Sequence, residues 1–414
     1  MKMGKLIGPF RQIITLRGLP LKGAIRDSEL EVISNGGIYI EDGYCLEVGE
    51  YSCLKIKYCH AEQILRSGLE VCLPGYVDCH THIAFAGNRA NDFALRNEGS
   101  SYLEIARAGG GIWSTVEKTR ACSEDVLVEL TLERASNLIA QGITTIEVKS
   151  GYGLDIDQEL KLLRAIKLAD QKSAVDLIST CLAAHMKPLD FVGTNLDYLN
   201  HLQAHLFPIL LKEKLTTRID AFIEQSAFSA DEILQYLKNA KELGFAICLH
   251  ADQFTTSGSE LAVAIQAVSA DHLEASTATE IALLAKSDVV AVALPAASLG
   301  LGCGFTPARS LLDAGASLAI ATDWNPGSAP MGKLLTSASI LACMQKLSNA
   351  EVLAAITFRA ANALRLSDRG RLVEGYLADF VIYPTDNYQD ITYLQGALQP
   401  NEVWKRGEKI YSMD

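Results

Sequence analysis

The sequence predicts an α/β protein: a (β/α)8 barrel of the TIM type beside a small β-sandwich domain built from both chain ends. Three observations carry this reading. Eight short apolar runs recur between residues 75 and 327, amphipathic segments separate them, and both ends of the chain have β character. Strand-like runs alternating with helical ones mark βαβ units and a parallel sheet, and eight such units in roughly 250 residues suit a barrel better than an open sheet.

Up to residue 73 the chain breaks into "QIITL", "GGIYIEDGYCLEVG" and "CLKIKYC", where alternation and turn residues favour strands. The barrel strands follow as "GYVDCHTH" (75–82), "GITTIEVKSGYG" (142–153), "VDLISTCLAAH" (175–185) and "RIDAFIEQS" (218–226). They continue as "FAICLHAD" (245–252), "AVSADHLE" (267–274), "VVAVALPAAS" (289–298) and "LAIATDWNPG" (318–327). Between them, "EDVLVELTLERASNLIAQ", "DQELKLLRAIKLADQK", "SADEILQYLKNAKELG" and "SELAVAIQAV" place apolar residues near i, i+3, i+4 and i+7, the period of a helix with one buried face. After a helical tail near 350–366, "GRLVEGYLADFVIYP" returns to β character, so its place is beside the N-terminal strands. The expected division is residues 1–73 with 366–414 as the β-domain and 74–365 as the barrel.

Composition narrows the function. With 49% apolar residues in 414, the chain can bury a large core. A net charge of −12 argues against nucleic acid or an anionic membrane as partner, since both require a basic patch; an anionic small molecule would need one local cation. Arg11 and Arg17 interrupt the N-terminal stretch before any apolar run is long enough for a signal peptide. The least charged run, 289–305, contains Pro295, Gly300, Gly302 and Gly304 and reads as a buried strand entering a loop, not a membrane span. Ten cysteines without a CxxC pair read as reduced, mostly buried thiols of a cytoplasmic protein.

In such a barrel, polar residues at the carboxyl ends of strands line the active-site mouth. Here His80 and His82 end the first run, Tyr152 the second, His185 the third, His250 the fifth, His272 the sixth and Asp323 the eighth. The i, i+2 spacing sends His80 and His82 to one face of a strand, where imidazole nitrogens about 2.0–2.1 Å from one cation can converge. His250 and Asp323 complete a set that leaves a position open for water, the mark of a catalytic rather than a structural centre. Arg89, just beyond the first strand, is suited to hold a carboxylate through two parallel hydrogen bonds. "NPGS" after Asp323 is a turn in which Gly327 allows close backbone approach while Asn325 and Ser328 offer short polar groups. "AGGGIWS" (108–114), with Gly109–Gly111, is either a lid or a simple turn.

These stretches, "PGYVDCHTHIAFAGNRANDFALR", "SYLEIARAGGGIWSTV", "GITTIEVKSGYGL", "LHADQF", "AVSADHLE", "ATDWNPGSAP" and "GYLADFVIY", resemble in their order the amidohydrolase superfamily and, within it, the imidazolonepropionase family. The resemblance covers most of the barrel. It implies hydrolysis of the ring amide of 4-imidazolone-5-propanoate to N-formimidoyl-L-glutamate, a step of histidine degradation, through hydroxide generated on one divalent metal ion, zinc or iron. Carried over residue by residue, it implies His80, His82, His250 and Asp323 as metal ligands. Arg89, Tyr152, His185, Gln253, Asn325, Gly327 and Ser328 fall where the family binds substrate or product. Asp323 and His272 are the implied acid–base residues, with the principal base open between them. Gln253 stands where some members carry glutamate; an amide cannot serve as a base, so it reads as a hydrogen-bonding contact. "AHMKPLDFVG" and "IDAFIEQSAFS" depart from the family's wording. Lys149, ending the second strand, reads as a supporting residue and not a metal bridge. The expected partners are a small anionic substrate and a second copy of the chain in a homodimer, with neither nucleic acid nor membrane.

Overall fold

A computed structural model describes residues 4–100, 104 and 109–413. The chain begins with β1 (Lys5–Ile14), β2 (Val32–Glu41), β3 (Tyr44–Glu50), β4 (Glu62–Leu65) and β5 (Val71–Pro74). It then enters eight parallel strands: β6 (Tyr76–Asp78), β7 (Ile143–Lys149), β8 (Asp176–Ala184), β9 (Arg218–Phe222), β10 (Ala246–Ala251), β11 (Ser269–His272), β12 (Val290–Ala293) and β13 (Ser317–Ile320). It finishes with β14 (Phe380–Tyr383), β15 (Glu402–Lys405) and β16 (Glu408–Ser412). Each expected barrel run therefore matches one strand, β13 starting one residue before its run, although most strands end a few residues before the run does.

The two chain ends share one sheet of order β16-β15-β14-β5-β1-β2-β3, with β4 also paired to β1. The join is the antiparallel pair β5–β14, with Phe380 opposite Pro74 and Tyr383 opposite Val71. This sheet curls until Cys45 N donates to Tyr376 O at 2.8 Å. One continuous sheet thus encloses a core that includes Ile7, Phe10, Ile38, Cys72, Phe380 and Trp404.

The barrel strands pair in sequence order from β6 to β13. They are short and buried on both faces, which explains their near-continuous apolar wording, such as "VAVA" in β12. Outer helices start at side chains that accept the free N–H groups of the first turn: Asp155 from Gln158 N at 2.9 Å, and Ser229 within a capping box completed by Glu232. The helix Ile156–Lys172 turns Leu160, Leu163, Ile166 and Ala169 inward at helical spacing.

Two details of the fold position the site. First, the seam between β13 and β6 is closed beyond the strand ends: Asp323 N donates to His80 O and His82 N to Trp324 O, each at 3.0 Å, around a parallel Thr81–Trp324 bridge. The buried Asp78 adds to it, accepting from Thr322 N at 3.0 Å and Thr322 Oγ1 at 2.6 Å. Secondly, the barrel interior is ionic where apolar layers are usual: Glu147, Lys149, Arg218, Asp220 and Asp271 all point inside and are buried. The ten cysteines are unpaired, and five of them are buried, fewer than their wording suggested.

Ion pairs join the sheet to the barrel floor. Asp176, opening β8, accepts from Arg369 Nη1, from Lys405 Nζ at 2.8 Å and from Arg406 Nη2 at 3.0 Å. Lys405 also bonds Asp379 Oδ2 at 2.7 Å, and Tyr76 OH of β6 donates to Tyr383 OH of β14 at 3.0 Å. Removing Asp176 leaves the buried Arg369 and Lys405 short of negative charge. Asp176→Ala should therefore destabilise the protein by about 3 kcal/mol, the low end for a broken buried pair because Asp368 and Asp379 remain. Urea unfolding checks this: the midpoint should fall at unchanged slope, and a loss below about 0.5 kcal/mol, the range of ordinary surface changes, would contradict it.

Candidate active site

Four donor atoms meet at the barrel mouth. His80 Nε2 lies 3.2 Å from His82 Nε2, which lies 3.3 Å from His250 Nε2. Asp323 Oδ1 is 3.5 Å from His80 Nε2 and 3.4 Å from His82 Nε2. His80 and His82 reach this point from the extension of β6, Asp323 from the extension of β13, and His250 from β10, so the hydrogen bonds of the seam set their spacing. His80 Nδ1 sits 2.6 Å from Asp271 Oδ2, which places its proton on Nδ1 and leaves the lone pair of Nε2 facing the other donors. Lone pairs crowded in this way repel unless a cation lies among them. Four ligands about 2.0–2.1 Å from a shared centre stand about 3.3–3.4 Å from one another when tetrahedral. The donor set therefore fits one divalent ion, and its identity as three imidazoles and a carboxylate suits zinc or iron(II) alike.

Behind the donors, Lys149 organises the acids. Its Nζ lies 2.8 Å from Glu147 Oε1, 2.8 Å from Asp220 Oδ2 and 3.8 Å from Asp271 Oδ2. Asp220 Oδ2 in turn lies 3.1 Å from His250 Nδ1, as Asp271 lies against His80. A carboxylate behind a ligating imidazole fixes the ring and makes it more basic. Burial opposes charge on Asp220, but Lys149 and then His250 outweigh it and hold its carboxyl below the ordinary value. Burial, aided by the positive charge of Lys149, pushes His82 down to about 3; burial also pushes His250 down to about 4 against the pull of Asp220, so both stand as neutral imidazoles, the ligating form.

The other wall of the cleft carries Arg89, Ile112, Tyr152, His185, Phe222 and Gln253. Arg89 Nε is buried without a hydrogen-bond partner. Its guanidinium lies directly on Gly327: a Cβ at that position would come within 1.5 Å of Arg89 Nη2. Gly327 is thus required for the close approach of Arg89, a protein side chain, where approach to a ligand was the expectation. Asn325 is likewise engaged within the turn, donating to Asp323 O at 2.8 Å and accepting from Gly327 N at 2.7 Å and Ser328 N at 2.9 Å. His272 has φ +85° and Asp323 φ +50°, a left-handed backbone that disfavours side chains and is retained where the surroundings dictate it. His272 Nδ1 lies 3.6 Å from Glu274 Oε2. Burial lowers the His272 pKa, yet Glu274, Asp323 and Asp271 together outweigh it and leave it raised.

Residues 71–410 match the amidohydrolase family. An imidazolonepropionase from Bdellovibrio bacteriovorus is 39% identical over 99% of this chain and 97% of its own length. The imidazolonepropionases of Myxococcus xanthus, 43% identical over 81% of this chain and 80% of theirs, and Rhizobium meliloti, 40% identical over 92% of each, agree. The chain belongs to the imidazolonepropionase group of the amidohydrolase family. Among solved structures, an adenosine deaminase from Xanthomonas campestris with bound zinc superposes with a TM-score of 0.70 at 19% identity, covering 99% of this chain and 94% of that one. A guanine deaminase from C. acetobutylicum superposes at 0.69 and 16%, covering 99% and 100%. At these identities the likeness concerns the fold.

Every sequence-derived candidate except Gly327 lines this one cleft or the donor cluster inside it. His80 belongs to the cluster floor, while Gly327 stands behind Arg89. Much of "SYLEIARAGGGIWSTV" lies outside the described residues, but Gly111 N donates to the buried Asp92 at 2.8 Å and Ile112 reaches the cleft. Sequence reasoning missed Phe222, Ile112, Asp220, Asp271 and Glu274. For the two aspartates a signal existed: "RID" and "SADH" put charges inside strands that should be buried on both faces, where a charge must be paired. Phe222 and Ile112 carried none, because an apolar residue after a strand looks like core.

Replacing Asp271 with asparagine keeps the shape behind His80 but removes the charge that Lys149 balances. Asp271→Asn should bind zinc about 10- to 100-fold more weakly, as is usual for lost outer partners of ligating histidines. Competition with a chromophoric chelator measures this; unaltered affinity would mean that Asp271 does not tune the site.

Proposed function

We propose that this enzyme hydrolyses the ring amide of 4-imidazolone-5-propanoate to N-formimidoyl-L-glutamate. The observation that carries the reading is Arg89, a half-buried guanidinium with an unpartnered Nε in the same cleft as the His3Asp cluster. A protein of net charge −12 that places an arginine in its metal cleft suits a substrate that is anionic at one end.

His80, His82, His250 and Asp323 would hold one divalent ion, zinc or iron. When bound, such an ion brings the pKa of a water to about 7 and polarises the carbonyl beside it. Arg89 grips the propionate carboxylate, and the other side chains orient the ring against the donors. Tyr152 contributes its hydroxyl from the wall next to Arg89; burial raises its pKa well above the ordinary phenol value against the pull of the Arg89 charge, so the phenol keeps its proton and donates. Ser328 and Gln253 offer further hydrogen bonds at the edge. Asp323, whose pKa burial raises, takes the proton of the attacking water and returns it to the departing ring nitrogen. His272, whose proton Glu274 favours against the effect of burial, donates to the oxygen on which negative charge develops.

No helix among the described residues is long and apolar enough to cross a membrane, and unpaired thiols suit a reducing cytoplasm. We also propose a homodimer, supported by exposed apolar side chains on the mouth loops, Leu189, Val192 and Phe254.

Loss of imidazolone absorbance with purified, metal-loaded enzyme tests the assignment, and Arg89→Gln tests its basis. Losing charge-assisted bonds to the tail should raise KM between about tenfold and a hundredfold while kcat changes less. Ammonia release from guanine or adenosine without imidazolone turnover, or an unchanged KM in Arg89→Gln, would overturn the reading.

A further inference from the structure

The loop after β7 carries Gly151 and Tyr152, and its backbone converges on one acid. Glu159, on the helix Ile156–Lys172, is fully buried and accepts from Gly153 N at 2.7 Å, Leu154 N at 2.8 Å and Gly151 N at 3.2 Å. The loop passes through left-handed backbone at Gly151, φ +101°, and Leu154, φ +56°. Such a path is unfavourable for leucine; the three bonds to the carboxylate hold it, together with Tyr198 OH donating to Leu154 O at 3.0 Å and Arg120 Nε to Gly153 O at 2.6 Å.

The consequence reaches the cleft through Gly151. Its carbonyl oxygen lies 3.0 Å from His185 Nδ1. A carbonyl only accepts, so the proton of this pair sits on Nδ1. A neutral His185 then carries a lone pair on Nε2 and can act in the cleft only as an acceptor. Its ring stands 5.8 Å from that of His82 and 5.9 Å from that of Tyr152, close to the donor cluster.

We propose that Glu159 is a positioning residue: its carboxylate shapes the Gly151–Leu154 loop so that the Gly151 carbonyl sets His185 as an acceptor for a ring N–H of the substrate. The enzyme thereby selects cyclic amides with an unsubstituted N–H on that side of the ring and disfavours N-alkylated rings. This deepens the ring-amide hydrolysis proposed above and rests on it.

Two measurements test it. In wild-type protein with 15N-labelled histidine, the His185 signals, assigned by their loss in His185→Asn, should show the Nδ1–H tautomer. Glu159→Gln puts an amide donor opposite backbone donors, so it should shift His185 toward the other tautomer and raise KM about tenfold, the worth of a hydrogen bond to the bound substrate. The kcat should stay within about twofold, because such binding is shared by ground and transition states. A role confined to folding would instead reduce kcat through fewer active molecules at unchanged KM. An Nε2–H His185 in the wild type, or an unchanged KM in Glu159→Gln, overturns the proposal. If Glu159→Gln does not fold, the wild-type tautomer and the KM of an N-methylated imidazolone propanoate decide alone: an Nδ1–H signal with a raised KM supports it, and either result reversed sinks it. Failure of the parent reading is distinct, since wild-type enzyme would then not consume the imidazolone at all.

Discussion

The arrangement depends on one buried ammonium. Lys149 sits on the barrel axis beneath the mouth, 2.8 Å from both Glu147 and Asp220. Carboxylates in a dry interior are costly unless paired, and without this cation Asp220 and Asp271 could not both stay there. Each of those aspartates lies behind a histidine of the donor cluster, so the charge of Lys149 is transmitted into the orientation and basicity of His250 and His80. The donor cluster is therefore the top of a column of alternating charge, with Arg218 below it, donating to Thr180 Oγ1 at 3.3 Å and Ala363 O at 3.1 Å.

A second device repeats around the mouth: buried acids tie irregular backbone down. Glu159 holds the loop after β7, and Glu224 accepts from Phe254 N at 3.1 Å and Thr255 N at 3.2 Å, fixing the loop that carries Gln253. Asp92 takes Gly111 N, and Asp78 takes Thr322 at the seam. Loops are the usual weak point of a site built on a rigid scaffold, and each of these is bonded to a buried acid outside the loop itself, from the helix that follows in the case of Glu159 and from more distant parts of the chain in the others. Gly327 serves the same end by subtraction, since its missing side chain is the space that Arg89 occupies.

Much of this was legible in the sequence for a physical reason. Parallel barrel strands buried on both faces produce apolar runs of a characteristic length, and ligands at strand ends appear where such runs stop. His80, His82, His250 and Asp323, the candidate donors, were visible for that reason. The sharing of one sheet by both chain ends followed from the return to β wording in "GRLVEGYLADFVIYP" (370–384) after the helical tail. Features set by three-dimensional proximity were not legible. The seat of Arg89 on Gly327 joins residues far apart in the chain, and Asn325 looked like a ligand contact although its amide is consumed by its own turn. The support of Asp271 and Asp220 was readable only as charges out of place in a strand, and Lys149 was recognised as supporting without its partners.

The central claim is that this column prepares four donors for a single ion and that Lys149 remains a free ammonium. Anomalous diffraction from crystals of zinc-loaded enzyme, collected on both sides of the metal edge, tests it most directly. One peak is expected, about 2.0–2.1 Å from Nε2 of His80, His82 and His250 and within ligand distance of Asp323. A second peak bridged by Lys149, or a single peak that leaves Asp323 outside the coordination sphere, would contradict it.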